Sequence, residues 1–292
     1  MKSLIKLTSL LTLLPFALNA QQGAKSTSIL YAISGNGLTD TSYLFGTFHL
    51  INQEHFYVAP EVETAFDNAA QLAFEIKLDD PNMISTYQRW TTLPEGVTWH
   101  NFASDEEIAY MTSVFRDSMQ ADFTPYIQLK PFVAYQMLTT ESMGENAQSY
   151  ELHFMQRNMQ DHRPIAGLET LESQLKIFDS VPYAEQVDWM TEISDSSFTS
   201  EDRLDEMISY YKNGDIESLY NVTITATPEF HDYANLLVAD RNKRWIPIIG
   251  DLAKKGSTFV AVGAAHLGGP EGVVKLLQQA GYQVTPVKLT EK

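Results

Sequence analysis

The strongest constraint on the fold is a pattern that occurs twice, once near each end of the chain. Each copy contains a predicted strand, the motif Gly-x-x-His-Leu, a Pro-Glu pair, an amphipathic helix and a second strand. The copies extend over residues 46–78 and 263–288. Units of strand, helix and strand build sheets that are covered by helices, so the repeat predicts an α/β fold. Its central sheet should consist of two related halves.

Hydrophobic patterns with the periods of strands and helices place the elements of both copies. Glycines and an asparagine at 35–37 predict the turn of an opening hairpin, and Pro60 begins the first helix. The helix of the second copy passes through residues 273–277 and ends at Gly281. The predicted strands are residues 28–33, 42–48, 72–78, 257–262 and 282–288.

The stretch between the copies is predicted to be mostly helical, with Gly256 after its last helix. A short strand at 163–166 leads into Gly167, Leu168 and Glu169. We expect one domain over residues 21–292, with sheet halves at 21–80 and 256–292 and a helical insert at 81–255.

The first twenty residues have the composition of a secretory signal peptide. Lys2 and Lys6 precede an apolar run at 7–18, which ends shortly before the small residue Ala20. The run is shorter than the roughly 20 apolar residues of a membrane span, and no later stretch comes near that length. We therefore expect an exported chain, periplasmic or secreted, whose mature form has no membrane span.

Composition argues against several kinds of function. Acidic residues outnumber basic ones by 37 to 20, for a formal net charge of −17, so nucleic acid and anionic membranes are repelled. The chain has no cysteine, which excludes disulfides and a lipid attached to cysteine. It also lacks a Gly-x-Ser-x-Gly elbow, a Walker loop and a dinucleotide fingerprint, which disfavours a serine hydrolase or a nucleotide enzyme.

Both motif histidines, His49 and His266, follow the carboxyl end of a predicted strand. Sheets of this class bind ligands at that edge, and a glycine there lets the backbone approach closely. If the two related strands are neighbours, the imidazoles face one cleft and become candidate ligands for zinc, manganese, cobalt or iron. The alternative is two unrelated surface histidines in loops.

Glu75 is the best carboxylate to complete such a site. It lies on the strand after the first motif, on the face opposite the apolar side chains of that strand. It would bind the metal directly, or act as general base on a water molecule that the metal activates. The alternative is a glutamate that faces solvent or pairs with Lys77 or an arginine.

Four segments resemble the TraB/GumN family: YLFGTFHL at 43–50, FEI at 74–76, GLET at 167–170 and VGAAHLGG at 262–269. The family is related to the Tiki proteins, metalloproteases that cleave Wnt, and more distantly to erythromycin esterases and haem-binding ChaN-like proteins. The resemblance implies an exported metal-dependent hydrolase, a metallopeptidase with a divalent ion. The ion would be manganese, cobalt or zinc, and the partner a peptide or small-molecule substrate.

The resemblance also implies roles for particular residues. Those it marks as metal ligands and catalytic groups are His49, Glu75 and His266. Those that would support the site or contact substrate are Glu169, Arg241 and Asn242. Tyr43, at the start of the first segment, is a further candidate to support the site or to contact substrate, a sequestered peptide or haem. Arg241 is also a catalytic candidate, because it could stabilise an oxyanion; alternatively it pairs with Glu169 and locks the insert. Many relatives have a Gly-x-Asp step near Gly144, and this chain lacks that aspartate.

Other classes of function stay open at the level of sequence. The chain could sequester a peptide or haem without turnover, or it could be an esterase-like hydrolase of the same fold. In a third interpretation the motifs are structural remnants of a duplicated sheet.

Overall fold

The computed structural model describes residues 28–144, 146–193, 201–226 and 228–290. The predicted signal peptide, residues 1–20, lies outside the described residues. Within them, no helix is both long enough and apolar enough to cross a membrane.

The chain forms the α/β fold that the repeat predicts. The strands are β1 (Leu30–Gly35), β2 (Ser42–Thr47), β3 (Ile51–Asn52), β4 (Gln71–Ile76), β5 (Ala147–Gln148), β6 (Ile165–Glu169), β7 (Thr258–Gly263) and β8 (Tyr282–Pro286). Six of them form one mixed sheet in the order β6, β4, β7, β2, β1, β8. β6, β4, β7 and β2 are parallel, whereas β1 is antiparallel to both of its neighbours.

Most of the helices lie between the two copies of the repeat, as expected for a helical insert. The helices are α1 (Pro60–Asp67), α2 (Met83–Thr91), α3 (Asp105–Met119), α4 (Pro131–Ser142), α5 (Tyr150–Asp161), α6 (Leu171–Phe178), α7 (Tyr183–Ile193), α8 (Glu201–Lys212), α9 (Ile216–Tyr220), α10 (Pro228–His231), α11 (Asp240–Lys255) and α12 (Val273–Gln279). The insert also contributes two strands: β6 joins the central sheet, and β5 pairs with β3 next to the first motif.

Strand β6 begins and ends later than the predicted strand at 163–166, and it includes Glu169. The reason is Gly167, which pairs with Phe74 of β4. A Cβ atom at Gly167 would lie 2.6 Å from the backbone nitrogen of Lys77, so only glycine allows this close approach. The strand therefore continues beside β4 and carries Glu169 to the end of the sheet.

The two copies of the repeat interlock in the sheet. β7, from the second copy, lies between β2 and β4 of the first copy. As a result β2 and β7 are parallel neighbours, with Gly46 opposite Val262 and Thr47 opposite Gly263. The two Gly-x-x-His motifs therefore leave the sheet side by side.

Aromatic packing fixes α1 and α5 against this pair of strands. Phe66 of α1 and Phe154 of α5 stack at 4.9 Å, and both contact Phe259 of β7. Phe45 of β2 completes the cluster through Phe154 and Phe259. Each buried ring stabilises the fold by about 1.5–3 kcal/mol relative to exposure. The insert has a separate hydrophobic cluster around Trp99.

Candidate active site

The candidate site lies at the carboxyl edge of the four parallel strands. The motif histidines follow β2 and β7, Glu75 is next to last in β4, and Glu169 ends β6. Because Ile76 pairs with Glu169 and Thr47 pairs with Gly263, all four strands end at the same level. Parallel strands thus bring together side chains that are far apart in the sequence, at the edge where such sheets bind ligands.

The glycine of each motif makes room for residues of the other copy. A Cβ atom at Gly46 would lie 2.6 Å from Cδ1 of Leu267 and 3.0 Å from Cβ of Ala264. A Cβ atom at Gly263 would lie 2.8 Å from Nε2 of His49 and 3.3 Å from Oε1 of Glu75. Both glycines are therefore needed for close approach of the two motifs.

His266 is buried, with 7% of its side chain exposed. Its Nδ1–H donates to Oδ1 of Asn242 at 2.6 Å, and its Nε2 lies 3.8 Å from Oε1 of Glu75. The ring of Trp245 covers it at 4.5 Å. Burial, together with the charge of Arg241, outweighs the attraction of Glu75 and lowers the pKa of His266 to about 3. The imidazole is therefore neutral and presents the lone pair of Nε2.

Asn242 is itself held in one orientation. Its amide nitrogen donates to the carbonyl oxygens of His266 and Glu271, at 3.2 and 2.8 Å. The amide oxygen is therefore the group that faces His266, which fixes the tautomer of the histidine.

His49 has the opposite environment. Its side chain is 60% exposed, and its Nδ1–H donates to Oε1 of Glu151 at 2.8 Å. Nε2 faces Oε1 of Glu75 at 3.7 Å. Partial desolvation beside the two carboxylates opposes the charged form, but Glu151 and Glu75 outweigh it and raise the pKa of His49 to about 9.

Glu75 connects the two histidines. Oε1 accepts a hydrogen bond from the backbone N–H of Gly263 at 2.8 Å and faces both imidazoles, while Oε2 accepts from Arg241 at 2.6 Å and from Gln174 at 3.1 Å. Burial favours the neutral acid, but the positive charges of Arg241 and His49 and the hydrogen bond from Gly263 outweigh it and hold the pKa of Glu75 well below its usual range. The site therefore contains a buried, ionised carboxylate.

Arg241 binds both buried carboxylates. Nη2 donates to Glu75 at 2.6 Å and to Glu169 at 2.5 Å, and Nε donates to Glu169 at 2.9 Å. Nη1 donates to Nε2 of His266 at 3.2 Å and to the carbonyl of Leu237, in the π-helical turn before α11. These contacts use all five N–H groups of a guanidinium. Burial raises the pKa of Glu169, against the attraction of Arg241.

A family model described as the TraB/PrgY/gumN family matches residues 29–286, which is most of the chain. The chain belongs to the TraB/PrgY/gumN family. This match confirms the family that the four sequence segments indicated. A relative, an uncharacterized protein of Treponema pallidum (strain Nichols), is 24% identical over 259 residues, which are 81% of this chain and 76% of the relative. No solved structure shows a significant match.

In this family member, most of the residues predicted for the site lie together. The residues that contact one another are His49, Glu75, Glu169, Arg241, Asn242 and His266. Their roles as catalytic or metal-binding groups stay predictions. For Arg241, the observed contacts are those of the alternative in which it pairs with Glu169, and they leave no N–H free for a substrate.

Tyr43 is placed elsewhere, contrary to the prediction that it supports the site. It lies near the amino end of β2, where it pairs with Phe259. At about 3.3 Å per residue, the strand separates it from Thr47 by about 13 Å. The prediction failed because even a few residues of extended strand separate Tyr43 widely in space from His49.

Glu151 is the site residue that sequence reasoning missed. It is in the first turn of α5 and accepts hydrogen bonds from His49, from Thr47 at 2.5 Å and from Ser149 at 2.9 Å. Pairing of β3 with β5 brings the start of α5 beside the first motif. A local signal existed, because Ser149 caps α5 and Glu151 follows it, but nothing in the sequence joined that helix to His49.

The donor set fits a divalent cation in ligand type and spacing. The separations of 3.7 and 3.8 Å between Glu75 and the imidazoles are close to the roughly 3.4 Å between two ligands of one tetrahedral ion. As the side chains stand, no group of three such residues in the described part of the chain encloses an ion. In addition, Nη1–H of Arg241 occupies the lone pair of His266. A cation would have to replace that hydrogen bond.

Proposed function

We propose that this protein is a hydrolase that uses a divalent metal ion, manganese, cobalt or zinc, to cleave a peptide. The observation that carries the proposal is that Nε2 of both motif histidines faces one oxygen of an ionised glutamate, Glu75. Each imidazole is oriented through its other nitrogen by an oxygen acceptor, an arrangement typical of metal ligands. The resemblance to the Tiki metalloproteases supports a peptide as substrate.

The chain's own residues would divide the work as follows. His49, His266 and Glu75 would hold the ion, through Nε2, Nε2 and Oε1. When bound, the ion supplies a Lewis acid for a carbonyl group and for the attacking water. Glu151 and Asn242 accept from Nδ1–H of the two rings, so that Nε2 of each points to the ion, and Arg241 keeps Glu75 ionised. His49 would have to release its Nε2 proton when the ion binds. These residues therefore preorganise the ligands before substrate arrives.

Substrate would approach from the side of His49. The side chain of His49 is 60% exposed, whereas Glu75 and His266 are 9% and 7% exposed. Burial of the inner two groups limits their contact with solvent and strengthens electrostatic interactions there. The scissile bond would consequently lie beside His49, on the exposed side of the cluster.

Metal content and turnover test the proposal together. Purified protein would be analysed for bound metal and incubated with a library of short peptides, before and after treatment with a chelator. We expect chelation to abolish cleavage and manganese, cobalt or zinc to restore it. Cleavage that survives complete metal removal would contradict the metal-dependent mechanism.

Variants test whether the activity depends on the histidine cluster. His49→Ala and His266→Ala should each lower kcat/KM by about a hundredfold or more, because each removes one ligand of three. His100→Ala is the matched control, since its side chain is 58% exposed, like that of His49, and lies outside the cluster. Full activity in both cluster variants would refute the site.

A metal-independent hydrolase is the second candidate, favoured by the hydrogen bond that Arg241 already donates to His266. In this mechanism His49 acts in its neutral form, whose population grows as pH rises toward its pKa of about 9. The oxygen of a water molecule attacks the substrate carbonyl while Nε2 of the neutral His49 takes the proton. His49 then passes that proton to the leaving group, and Glu151 stabilises the positive imidazolium between the two steps. Chelator-resistant cleavage that Glu151→Gln reduces would support this candidate.

Binding without turnover is the outcome that would overturn both candidates. Saturable binding of peptide or haem, with no product at any metal concentration, would indicate a sequestering protein. We also propose that the chain is exported, on the basis of its first twenty residues. Mass spectrometry of the mature protein from a fractionated cell would test this: cleavage near Ala20 is expected, and an intact amino terminus in the cytosol would refute it.

A further inference from the structure

A cavity of about 760 Å³ lies away from the histidine cluster. Its walls come from the start of β1, the loop before α1, the end of α8 and the segment after β8. None of His49, Glu75, Glu169, Arg241 or His266 lines it. The volume is in the range of sites for small organic ligands, which is about 300–1,000 Å³.

The lining of this cavity is chemically unlike the rest of the molecule. The chain has 37 acidic and 20 basic residues, yet among the described residues the cavity is lined by Lys212, Lys288 and His55 and by no acidic residue. Basic side chains without an acidic neighbour in the described lining indicate complementarity to an anion.

The two lysines are available to a ligand. Nζ of Lys212 donates to Nδ1 of His55 at 3.0 Å, and neither lysine forms an ion pair with a carboxylate among the described residues. Two acids contact lining residues other than the lysines. Glu61 accepts from the backbone and hydroxyl of Thr290, and Glu54 faces Nε2 of His55 at 3.5 Å. The charge of the lysines is therefore not neutralised within the cavity.

The remaining walls are apolar and aromatic. Phe45, Val62 and Tyr150 form the buried floor, and Tyr57, Val287 and Leu289 present partly exposed apolar surface. We propose that this cavity binds an amphipathic carboxylate, a ligand with an apolar body and one terminal carboxylate. The apolar body would pack against Tyr57, Val287 and Leu289, and the carboxylate would contact Lys212 and Lys288.

The ligand chemistry has two natural sources, a fatty acid and the carboxyl terminus of an apolar peptide. Isothermal titration of the full protein with decanoate and with an N-acetylated apolar tetrapeptide distinguishes them. Matched neutral probes are decanamide and the same tetrapeptide with a carboxyl-terminal amide. The variant is Lys212→Gln with Lys288→Gln, and Lys255→Gln is the control because Lys255 is exposed, outside the cavity and without an ion pair in the described chain.

We expect at least one carboxylate probe to bind about tenfold more tightly than its neutral counterpart. The double variant should lose that preference while its affinity for the neutral probe is unchanged, and Lys255→Gln should bind as the unaltered protein does. Preference for decanoate or for the peptide acid identifies the source. Equal affinity for acid and amide, no binding of either acid, or unchanged binding in the double variant would each overturn the proposal. Both lysines are exposed, so the variants should fold.

Discussion

The first and second Gly-x-x-His motifs share spacing, strand position and sheet edge, but their surroundings differ. His49 is 60% exposed and bonded to a carboxylate, whereas His266 is 7% exposed and bonded to an amide beside a guanidinium. The pKa of His49 is consequently raised to about 9, and that of His266 is lowered to about 3. The partners that cause the difference, Glu151 and Arg241, both come from the insert. The duplicated halves place the histidines, and the insert sets their protonation.

Removal of Arg241 should have the largest effect on this comparison, because it supports only the buried side. Arg241→Met leaves Glu75 and Glu169 as buried carboxylates without the guanidinium that binds both. We expect the free energy of unfolding to fall by about 3–5 kcal/mol, measured by urea denaturation. Arg116→Met is the control, since its pair with Asp117 is exposed and should not affect stability.

A double variant separates charge from packing in that result. Adding Glu169→Gln to Arg241→Met removes one of the two stranded charges and should restore part of the lost stability. If the single variant is as stable as the original protein, the guanidinium does not hold the cluster together.

Substitution of the two motif glycines should affect different properties, stability in one case and activity in the other. Gly46→Ala forces a Cβ atom to 2.6 Å from Leu267 and should destabilise the fold by about 1–3 kcal/mol. Gly263→Ala presses on the exposed ring of His49, which can move, so activity should fall more than stability. Gly256→Ala is the control, because its nearest neighbour would be at an ordinary 3.6 Å. Equal loss of stability in both motif variants would contradict the contrast between them.

The exposed side should show its electrostatics as a pH dependence of stability. The folded pKa of His49, about 9, is above the usual 6.5, so this interaction stabilises the fold fully below pH 6.5 and is lost as pH rises through 9. Glu151→Gln should therefore cost about 1 kcal/mol at pH 7, a value reduced by solvent screening, and less at pH 10. Urea denaturation at both pH values measures it. The same cost at both values would show that Glu151 acts without the charge of His49.

The smallest effect is expected at Tyr43, which belongs to neither motif's surroundings. Tyr43→Phe should leave metal content and peptide cleavage within twofold of the original, because the strand separates the backbone of Tyr43 from that of Thr47 by about 13 Å. A large loss of activity would restore the role that the sequence suggested for this residue.

Local patterns predicted much of the fold. Strand and helix periodicity gave the two copies of the repeat within a few residues of their observed bounds, and the motif positions at strand ends predicted that His49 and His266 converge. The predicted end of β6 was wrong, because the strand is extended by the close packing of Gly167 on β4, a contact between strands that are far apart in the sequence. Glu151 was missed for a similar reason, since it is 102 residues from the histidine that it binds.

The sequence by itself determined that two like strands end in glycine and histidine, because strand periodicity and turn residues are local properties of the chain. Only the tertiary structure decided that Glu151 holds one histidine while Asn242 and Arg241 hold the other. A side chain's pKa depends on burial and on charges within a few ångströms, and those neighbours come from anywhere in the chain. The two Gly-x-x-His motifs therefore differ in protonation because the insert packs different neighbours against each histidine.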